Sequence, residues 1–298
     1  MKLIVTLILF APILLFGQSA IPKAVNETVN VTSRAKKGDL QRYEVWVESR
    51  ALSENSTPLT YKRDLLAFSQ YCASNTPEKG LDYKITIDSF AVGQNGPAEK
   101  PDLRLQTVRQ LDGFSIPSML TRAIPKKGEC YDQGIVIPDS LIYVEIFDFA
   151  EAYKYARLIE QLRYSAASQL TKIGDSAKVT IPYPLCMKIE SVVRDYKLNL
   201  APMVLELTGL TNVQNRPCAI VYLHPSTSPL SIEHWAGPTA SYYWEGSLTI
   251  TASFLIALDD GDILAAKVSE RGDAQVSGPN GKVSPSHRVR NFEFRQIN

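Results

Sequence analysis

Histidine and cysteine are scarce in this sequence, and neither sign of charge dominates it. The 298 residues include three histidines and four cysteines, with 32 lysines and arginines against 31 aspartates and glutamates. Proteins that bind nucleic acid or a polyanionic substrate usually have a basic excess or a basic stripe. Two short basic clusters, at residues 34–37 and 288–290, lie near the chain ends, and we interpret them as solvated. The sequence therefore predicts no nucleic-acid partner.

Several sequence motifs of enzymes are also missing. No segment matches the Gly-x-Ser-x-Gly turn of α/β hydrolases, and neither common glycine loop for phosphate groups is present. No two cysteines have the Cys-x-x-Cys spacing of a zinc knuckle or a thioredoxin-type redox pair. These absences argue against an enzyme, and we expect no cofactor and no catalytic residues.

One long apolar segment does occur, at the start of the chain. Residues 3–17 are apolar except for Thr6, follow Lys2, and are succeeded by small residues, which is typical of a secretory signal peptide. We predict cleavage near residues 17–20, with a retained N-terminal anchor as the alternative. No later segment has the length of a membrane span. We therefore expect a secreted or periplasmic protein with no stable membrane span after cleavage.

Export bears on the four cysteines, because it places them where oxidation is permitted. Their even number favours two disulfides. Pairing within each half of the chain would join Cys72 to Cys130 and Cys186 to Cys218. Four buried thiols are the alternative.

The chain after the signal peptide (residues 1–20) divides into three parts. Residues 21–38 are polar and without a period, and we expect a flexible lead-in. Helical and strand patterns mix over residues 39–174, which predicts an α+β region, and residues 175–298 show only strands and turns. The two regions could form one continuous domain. Short connections between the strands indicate an antiparallel sheet, since parallel strands need long crossovers.

The clearest strand covers residues 248–258, where every second side chain is apolar and hydroxyl side chains occupy the positions between them from Ser247 to Ser253. It runs into the acidic residues 259–262, which contain a glycine. General acid/base catalysis or calcium binding is conceivable for such carboxylates, but aspartate and glycine are also what tight turns select. We therefore predict a hairpin turn at this position.

Two amphipathic helices are predicted in the first half. After Thr57 and Pro58, four residues follow at helical spacing, and they are Tyr61, Leu65, Phe68 and Cys72. A second helix begins at Asp148, with Glu151 three residues later as in a capping box, and extends as far as Lys172. Its apolar face consists of Ala152, Ala156, Ile159 and Leu162.

These patterns together predict a β-rich α+β fold. We expect a curved antiparallel sheet, a half-barrel-like meander, packed on one or two amphipathic helices. This outline is similar to the half-barrel of periplasmic lipoprotein carriers, and it covers most of the mature chain. The resemblance is one of architecture, without a shared residue motif. It implies a concave apolar face that holds a lipid or another apolar small molecule.

Aromatic residues supply the candidate binding site. Trp235, Tyr243 and Trp244 lie close together in the sequence, and such clusters suit the recognition of sugars or lipids as well as ordinary packing at a sheet edge. Our first hypothesis is a non-enzymatic protein that binds a hydrophobic or amphipathic ligand between sheet and helix. The alternative is an envelope structural or interaction protein with a filled core.

A hydrolase that uses His224 and His234 is the third hypothesis. The two histidines are ten residues apart, so a turn between them could bring both imidazoles beside a carboxylate or a metal ion. No short ligand motif accompanies them, and loop histidines usually belong to the polar surface. We expect no metal site.

Overall fold

In the computed structural model, the strands of the described residues form a single β-sheet. The structure describes residues 28–53, 58–76, 80–93, 105–110, 115–119, 131–132, 169–180, 185–186, 193–235 and 240–297. Within these ranges there are fourteen strands and no α-helix. The strands are β1 (Leu40–Leu52), β2 (Pro58–Thr76), β3 (Gly80–Gly93), β4 (Leu105–Gln110), β5 (Ser115–Met119), β6 (Tyr131–Asp132), β7 (Ser176–Val179), β8 (Leu185–Cys186), β9 (Val193–Leu198), β10 (Met203–Val213), β11 (Arg216–Trp235), β12 (Ser241–Ala257), β13 (Ile263–Ser277) and β14 (Val283–Ile297).

The sheet follows the order β4-β3-β2-β1-β14-β13-β12-β11-β9-β8-β6. The long strand β11 pairs with β10 along its first half and with β9 near its end, and β7 pairs with the far side of β10. All pairs are antiparallel except the two-residue pair of β6 and β8. The predicted antiparallel, β-rich character of the chain is therefore confirmed.

The first strand of the sheet pairs with the last. Strand β1 pairs with β14 from Arg42 opposite Ile297 to Leu52 opposite His287, which is all of β1 except its first two residues. The pairing joins the β1–β2 hairpin to the meander β11–β14. The sheet is thus continuous across both halves of the sequence.

One face of this sheet, which we call the inner face, carries the hydrophobic core. Alternate residues of β12 point inward, as the sequence pattern predicts, and Leu248, Ile250, Ala252, Phe254 and Ile256 are each 1–4% exposed. Neighbouring strands add further buried side chains at the same level, namely Val45 and Val47 on β1, Leu66 and Phe68 on β2, Val268 on β13, and Phe292 and Phe294 on β14. All of these side chains belong to one hydrophobic cluster.

The first predicted helix is wrong, because the residues concerned form the 19-residue strand β2. Strand β2 pairs with β1 on one side and β3 on the other. Its inward side chains include Asp64 and Gln70 beside Leu66 and Phe68. Because these inward positions are polar, the two-residue period of a strand is not visible in the sequence. The helical spacing of the apolar residues therefore did not indicate a helix. Pairing with two long strands decides the conformation.

The second predicted helix lies outside the described residues, apart from its last positions. Residues 169–175 form a short irregular turn before β7. There Asp175 accepts hydrogen bonds from the backbone of Thr171 and Lys172, and Gly174 has a positive φ of 91°. The predicted α+β class is therefore wrong for the described residues. Within the described residues, no helix packs on the sheet as the resemblance to half-barrel carriers implied.

Residues 28–39 form an extended segment that packs against one end of the core, and we call this segment the strap. Val29 and Val31 are buried within the hydrophobic cluster. Backbone hydrogen bonds join the strap to three distant parts of the chain. Val29 N donates to Thr171 O, Arg34 N donates to Asp260 O, and Gly38 N donates to Cys72 O. The strap therefore ties β2 to the turn between β12 and β13. The described part of the predicted lead-in is packed against the sheet.

At the opposite end from the strap, four strands extend beyond the core. We call this part the distal end, and it comprises residues 229–235, 241–247, 272–277 and 283–288 of β11, β12, β13 and β14. Side chains whose burial is described are exposed or half-buried there on both faces. Within the described ranges, the chain contains no helix with the length and hydropathy that a membrane crossing requires.

Candidate functional site

Trp244 and Arg288 meet on the inner face of the distal end. The guanidinium carbon of Arg288 lies 5.3 Å from the centroid of the Trp244 ring, a distance at which a cation and an aromatic face attract each other. The two residues come from different strands, with β13 between them. Both side chains are half-buried. Trp244 is therefore held by a charged neighbour while part of its ring remains accessible.

Apolar side chains flank this pair. In the pairing register, Ile232 of β11 and Val276 of β13 lie directly opposite Trp244, and Leu230 lies one inward position away on β11. Leu230 and Ile232 are partly buried and pack against the edge of the core cluster. Trp244 with its neighbours thus forms an apolar patch that continues the core outward along the sheet.

Small residues lie between Arg288 and the apolar patch. The position opposite Arg288 on β13 is Gly272, and the next inward-facing row contains Gly246, Ala274 and Ser286. A Cβ atom at Gly246 would collide with the carbonyl oxygen of Asp273, so β12 and β13 approach so closely there that only glycine fits. The small residues of β12, β13 and β14 in this row leave a low surface between Arg288 and Trp244.

An ion pair separates the distal end from the core. Glu270 of β13 and Arg290 of β14 are direct cross-strand partners, and Arg290 Nη1 donates to Glu270 Oε1 at 3.3 Å. Their side chains are only 5% and 8% exposed. Burying two charges is costly unless they are paired, which explains why these two side chains are buried together. On the inner face, the side chains on one side of this row belong to the hydrophobic core. Those on the side of the distal end are a mixture of polar and apolar residues.

The three aromatic residues predicted to bind a ligand do not form one site. Tyr243 and Trp244 are adjacent on β12 and project from opposite faces of the sheet. Tyr243 is 49% exposed on the outer face, where its hydroxyl donates to Glu233 Oε1 at 3.4 Å. Trp235 is described only by its backbone, which pairs with Ser241. Of the two whose side chains are described, Trp244 is the one that lies beside Arg288.

The predicted disulfides are not formed by the two cysteines whose side chains are described. Cys72 and Cys218 are both fully buried and neither belongs to a disulfide. The thiol of Cys218 donates to the carbonyl oxygen of Arg216 at 3.3 Å, and burial raises the pKa of this thiol. Cys186 is described only by its backbone in β8, and Cys130 lies outside the described residues.

The two histidines of the hydrolase hypothesis lie on the same strand. His224 and His234 both belong to β11, so no turn brings them together, and ten residues of strand span about 33 Å. His224 Nε2 lies 2.7 Å from Glu206 Oε2 of β10. No group of three His, Cys, Asp or Glu side chains that could hold a metal ion occurs in the part of the chain that the structure describes.

The third histidine has a carboxylate partner but not the arrangement of a catalytic triad. His287 Nδ1 lies 2.7 Å from Asp273 Oδ1 on the outer face. Burial raises the pKa of Asp273, but hydrogen bonds from His287 and Arg271 outweigh this effect, and the net pKa is lowered. Ser247 pairs with Asp273 from the other side. A triad needs the imidazole between the acid and the nucleophile, whereas here the acid stands in the middle.

Sequence reasoning missed Arg288 and the buried pair of Glu270 and Arg290. We interpreted the basic cluster at residues 288–290 as solvated, but Arg290 is only 7% exposed. The signal was present in the alternation of β14, because Arg288 and Arg290 share the parity of Phe292 and Phe294. Two arginines at the same alternating positions as two core phenylalanines indicate that the inner face becomes polar along the length of the strand.

Comparison with known proteins adds no relative from which a role could be transferred. The sequence matches no protein-family model, and no curated protein is significantly similar to it.

Proposed function

We propose that this chain is an exported, non-enzymatic protein that binds an amphipathic ligand on the inner face of the distal end. The observation that carries the proposal is the half-buried Trp244 ring, which lies outside the packed core with Arg288 at 5.3 Å. Tryptophan combines a large apolar area with a polar N–H group, and it is enriched where proteins bind partners.

The chemistry around Trp244 favours a ligand with both an apolar and a polar part. Leu230, Ile232 and Val276 supply apolar contact area close to the ring. Arg288 supplies a guanidinium group, which donates hydrogen bonds in a fixed plane and also stacks on aromatic rings. An entirely polar ligand would make no use of the aliphatic side chains.

The ligand position proposed here differs from the one the sequence suggested. The inward residues of β12 from Leu248 to Ile256 are buried among the side chains of other strands, so this face is already occupied by the protein itself. The strap also packs against the core at the end away from Trp244. The distal end retains half-buried apolar side chains on the inner face, among them Leu230 and Ile232.

Trp244 fluorescence provides a direct test. In a variant with Trp46→Phe and Trp235→Phe, Trp244 is the only tryptophan, and titration with dodecyl maltoside below its micelle concentration should shift its emission to shorter wavelength. In the parent protein, Trp244→Ala should weaken binding about tenfold or more, since a buried aromatic contact contributes over 1 kcal/mol. The matched control is Tyr243→Ala, which removes the neighbouring ring on the opposite face and should leave the affinity unchanged. Equal effects of the two substitutions would contradict the proposed site.

An envelope structural or interaction protein is the second candidate. The buried cluster under β12 favours it, because the inward side chains of the described strands pack against one another there. Under this alternative the distal end contacts another macromolecule. Native mass spectrometry of the purified protein distinguishes the two, since a co-purified amphiphile supports the first candidate and a ligand-free mass that also fails to shift with dodecyl maltoside supports the second.

A further inference from the structure

We infer that Asn280, at the tip of the distal end, is a site of spontaneous deamidation, in which its side chain closes a ring with the backbone nitrogen of Gly281. This modification is a property of the turn that connects β13 to β14. It goes beyond the proposed function, because it does not depend on any ligand at Trp244.

The turn between β13 and β14 is open to solvent. Strand pairing ends where Ser277 lies opposite Val283, and residues 279–285 are all exposed. Gly281 has a φ of 72°, and nothing beyond its chain neighbours lies within 4 Å of the position that a Cβ atom would occupy. Water and hydroxide therefore have access to the Asn280 side chain and to the peptide group that follows it.

The side chain of Asn280 is folded back over the turn. Its Oδ1 accepts a hydrogen bond from the backbone nitrogen of Lys282 at 3.0 Å. Such a bond to the residue two positions later curls the side chain along its own backbone. The Gly281 nitrogen lies between the two bonded residues, so Cγ of Asn280 is held close to it. Glycine has no Cβ atom that would hinder the approach.

The chemistry requires only water and hydroxide. Hydroxide removes the proton from the Gly281 nitrogen, which attacks Cγ of Asn280 and forms a new C–N bond. Negative charge develops on Oδ1, and the Lys282 N–H group already donates to this atom, as a donor in an oxyanion hole does. The bond from Cγ to the side-chain nitrogen then breaks, and ammonia leaves with a proton taken from water. Water opens the resulting succinimide at either carbonyl carbon, which gives aspartate or isoaspartate.

One hydrogen bond opposes the reaction. The Gly281 nitrogen donates to Gly278 O at 3.0 Å, and it must give up this bond before it loses its proton. The bond lies in an exposed turn, where exchange for a bond to water has little net cost. We therefore expect the folded turn to permit the reaction.

A second exposed turn supplies an internal comparison. Asn215 lies in the hairpin turn between β10 and β11, and it is exposed and has a φ of 63°. The residue that follows it is Arg216, whose side chain is bonded to Asp259. The nitrogen that would attack Asn215 thus belongs to a residue with a large, anchored side chain. Asn215 should keep its amide while Asn280 loses it.

Mass spectrometry after incubation at mildly alkaline pH is the test. Trypsin cleaves after Arg271 and Lys282, so Asn280 is read in the peptide 272–282, and a second protease reports on Asn215. In the folded protein, this peptide should gain the mass difference between an amide and an acid no more than about threefold slower than a synthetic peptide of the same sequence. A protein isoaspartate methyltransferase should label the product in the parent protein.

Two variants assign the reaction to its atoms. Asn280→Gln should lower the conversion about tenfold or more, because glutamine would have to close a larger ring. The matched control is Lys282→Ala, which removes the ammonium group and keeps the backbone N–H that donates to Oδ1, and it should change the rate less than twofold.

Three results would overturn the inference. The first is conversion in the folded protein more than about tenfold slower than in the synthetic peptide, since the turn would then protect Asn280. The second is equal conversion of Asn215 and Asn280, and the third is an undiminished rate in Asn280→Gln. The proposed function is tested separately, by binding of dodecyl maltoside at Trp244, and it stands or fails independently of these measurements.

Discussion

Glu270 and Arg290 show how a single pair of charged residues limits the hydrophobic core. The pair is buried between two long strands, and Arg290 also lies opposite Ser49 of β1. A second acid and base connect the same two strands on the outer face, where Lys267 Nζ lies 3.2 Å from Glu293 Oε1 and both side chains are about half exposed. The two pairs have the same strand partners and similar chemistry, and they differ mainly in burial.

This contrast gives a prediction for stability. Glu270→Ala should lower the free energy of unfolding by about 3–5 kcal/mol, because Arg290 would keep its charge without its main acidic partner inside the protein. Glu293→Ala should change it by no more than about 1 kcal/mol, since exposed ion pairs contribute little. Chemical denaturation of both variants makes the comparison.

The double variant Glu270→Leu with Arg290→Met is the control for this interpretation. Replacing a buried ion pair by apolar residues of similar volume is often nearly neutral. Most of the stability lost in Glu270→Ala should therefore be recovered. A double variant as unstable as Glu270→Ala alone would show that shape rather than charge explains the loss.

Among the elements, the two hairpin turns at the strap end of the sheet are linked by one arginine. The turn between β10 and β11 has Gln214 and Asn215 at positive φ, as type I′ hairpin turns require. The predicted acidic turn at residues 259–262 does connect β12 to β13, and Gly261 there has a φ of 72°. Arg216, which begins β11, donates to the carboxylates of Asp259 and Asp260 at 2.6 and 2.5 Å. These carboxylates hold the end of a neighbouring strand, which explains their presence in the turn.

The link between Arg216 and Asp259 predicts a dependence of stability on pH. The pKa of Asp259 is lowered, chiefly by the hydrogen bond from Arg216, whose own pKa is raised. A carboxyl group with a lowered pKa in the folded state stabilises the protein above its unfolded pKa of about 3.9, and this contribution is lost as the pH falls through the folded value. Because the Asp259 side chain is 52% exposed, the contribution should be below about 1 kcal/mol.

The measurement compares the parent protein with Arg216→Gln from pH 7 to pH 2. The parent should be more stable by a constant amount at neutral pH, and the difference should shrink below about pH 4 as Asp259 becomes protonated. Lys178→Gln, an exposed site on β7, serves as a control with no such trend. A difference that grows with acid would contradict the assigned direction of the pKa shift.

The strands that the sequence predicted correctly differ from β2 in one physical respect. On β12 the inward residues are all apolar, so period-two alternation is visible without knowledge of any partner strand. On β2 the inward row includes Asp64 and Gln70, which are buried because β1 and β3 flank them. The local sequence pattern predicts which residues are buried only where the buried residues are also hydrophobic.

The candidate site shows the same limitation at longer range. Aromatic composition led to Trp244, which the structure places on the inner face. Its partner Arg288 is 44 positions later in the sequence and reaches it across β13. No spacing rule connects two residues whose contact depends on the register of three strands.

On the scale of the whole molecule, β14 is the strand that unites the sheet. It pairs along its length with β1 on one side and β13 on the other, and it contributes Phe292 and Phe294 to the core. A chain that ends at Lys282 should therefore lose cooperative unfolding and bind a dye that reports exposed hydrophobic surface. Circular dichroism during thermal unfolding, together with dye fluorescence, makes the measurement.

An insertion beside the same strand is the control for this truncation. The turn that precedes β14 is exposed, and Gly281 there has a φ of 72° with open space around its α-carbon. Six glycine and serine residues inserted after Asn280 should be tolerated, because exposed loop tips accept insertions. A cooperative, dye-negative truncated chain would show that the β1–β2 part and the β11–β13 part fold independently.

The partnership of the first and last strands also constrains the order of events during synthesis. Arg42 can meet Ile297 only after all the residues between them have been synthesised, so β1 stays without one of its two neighbours until β14 has left the ribosome. Contacts so remote in sequence form slowly, since a very large loop must be closed first. Docking of β1 against β14 should therefore be a late step in folding, after the hairpin of β1 with β2 and the meander of β11, β12 and β13 have formed.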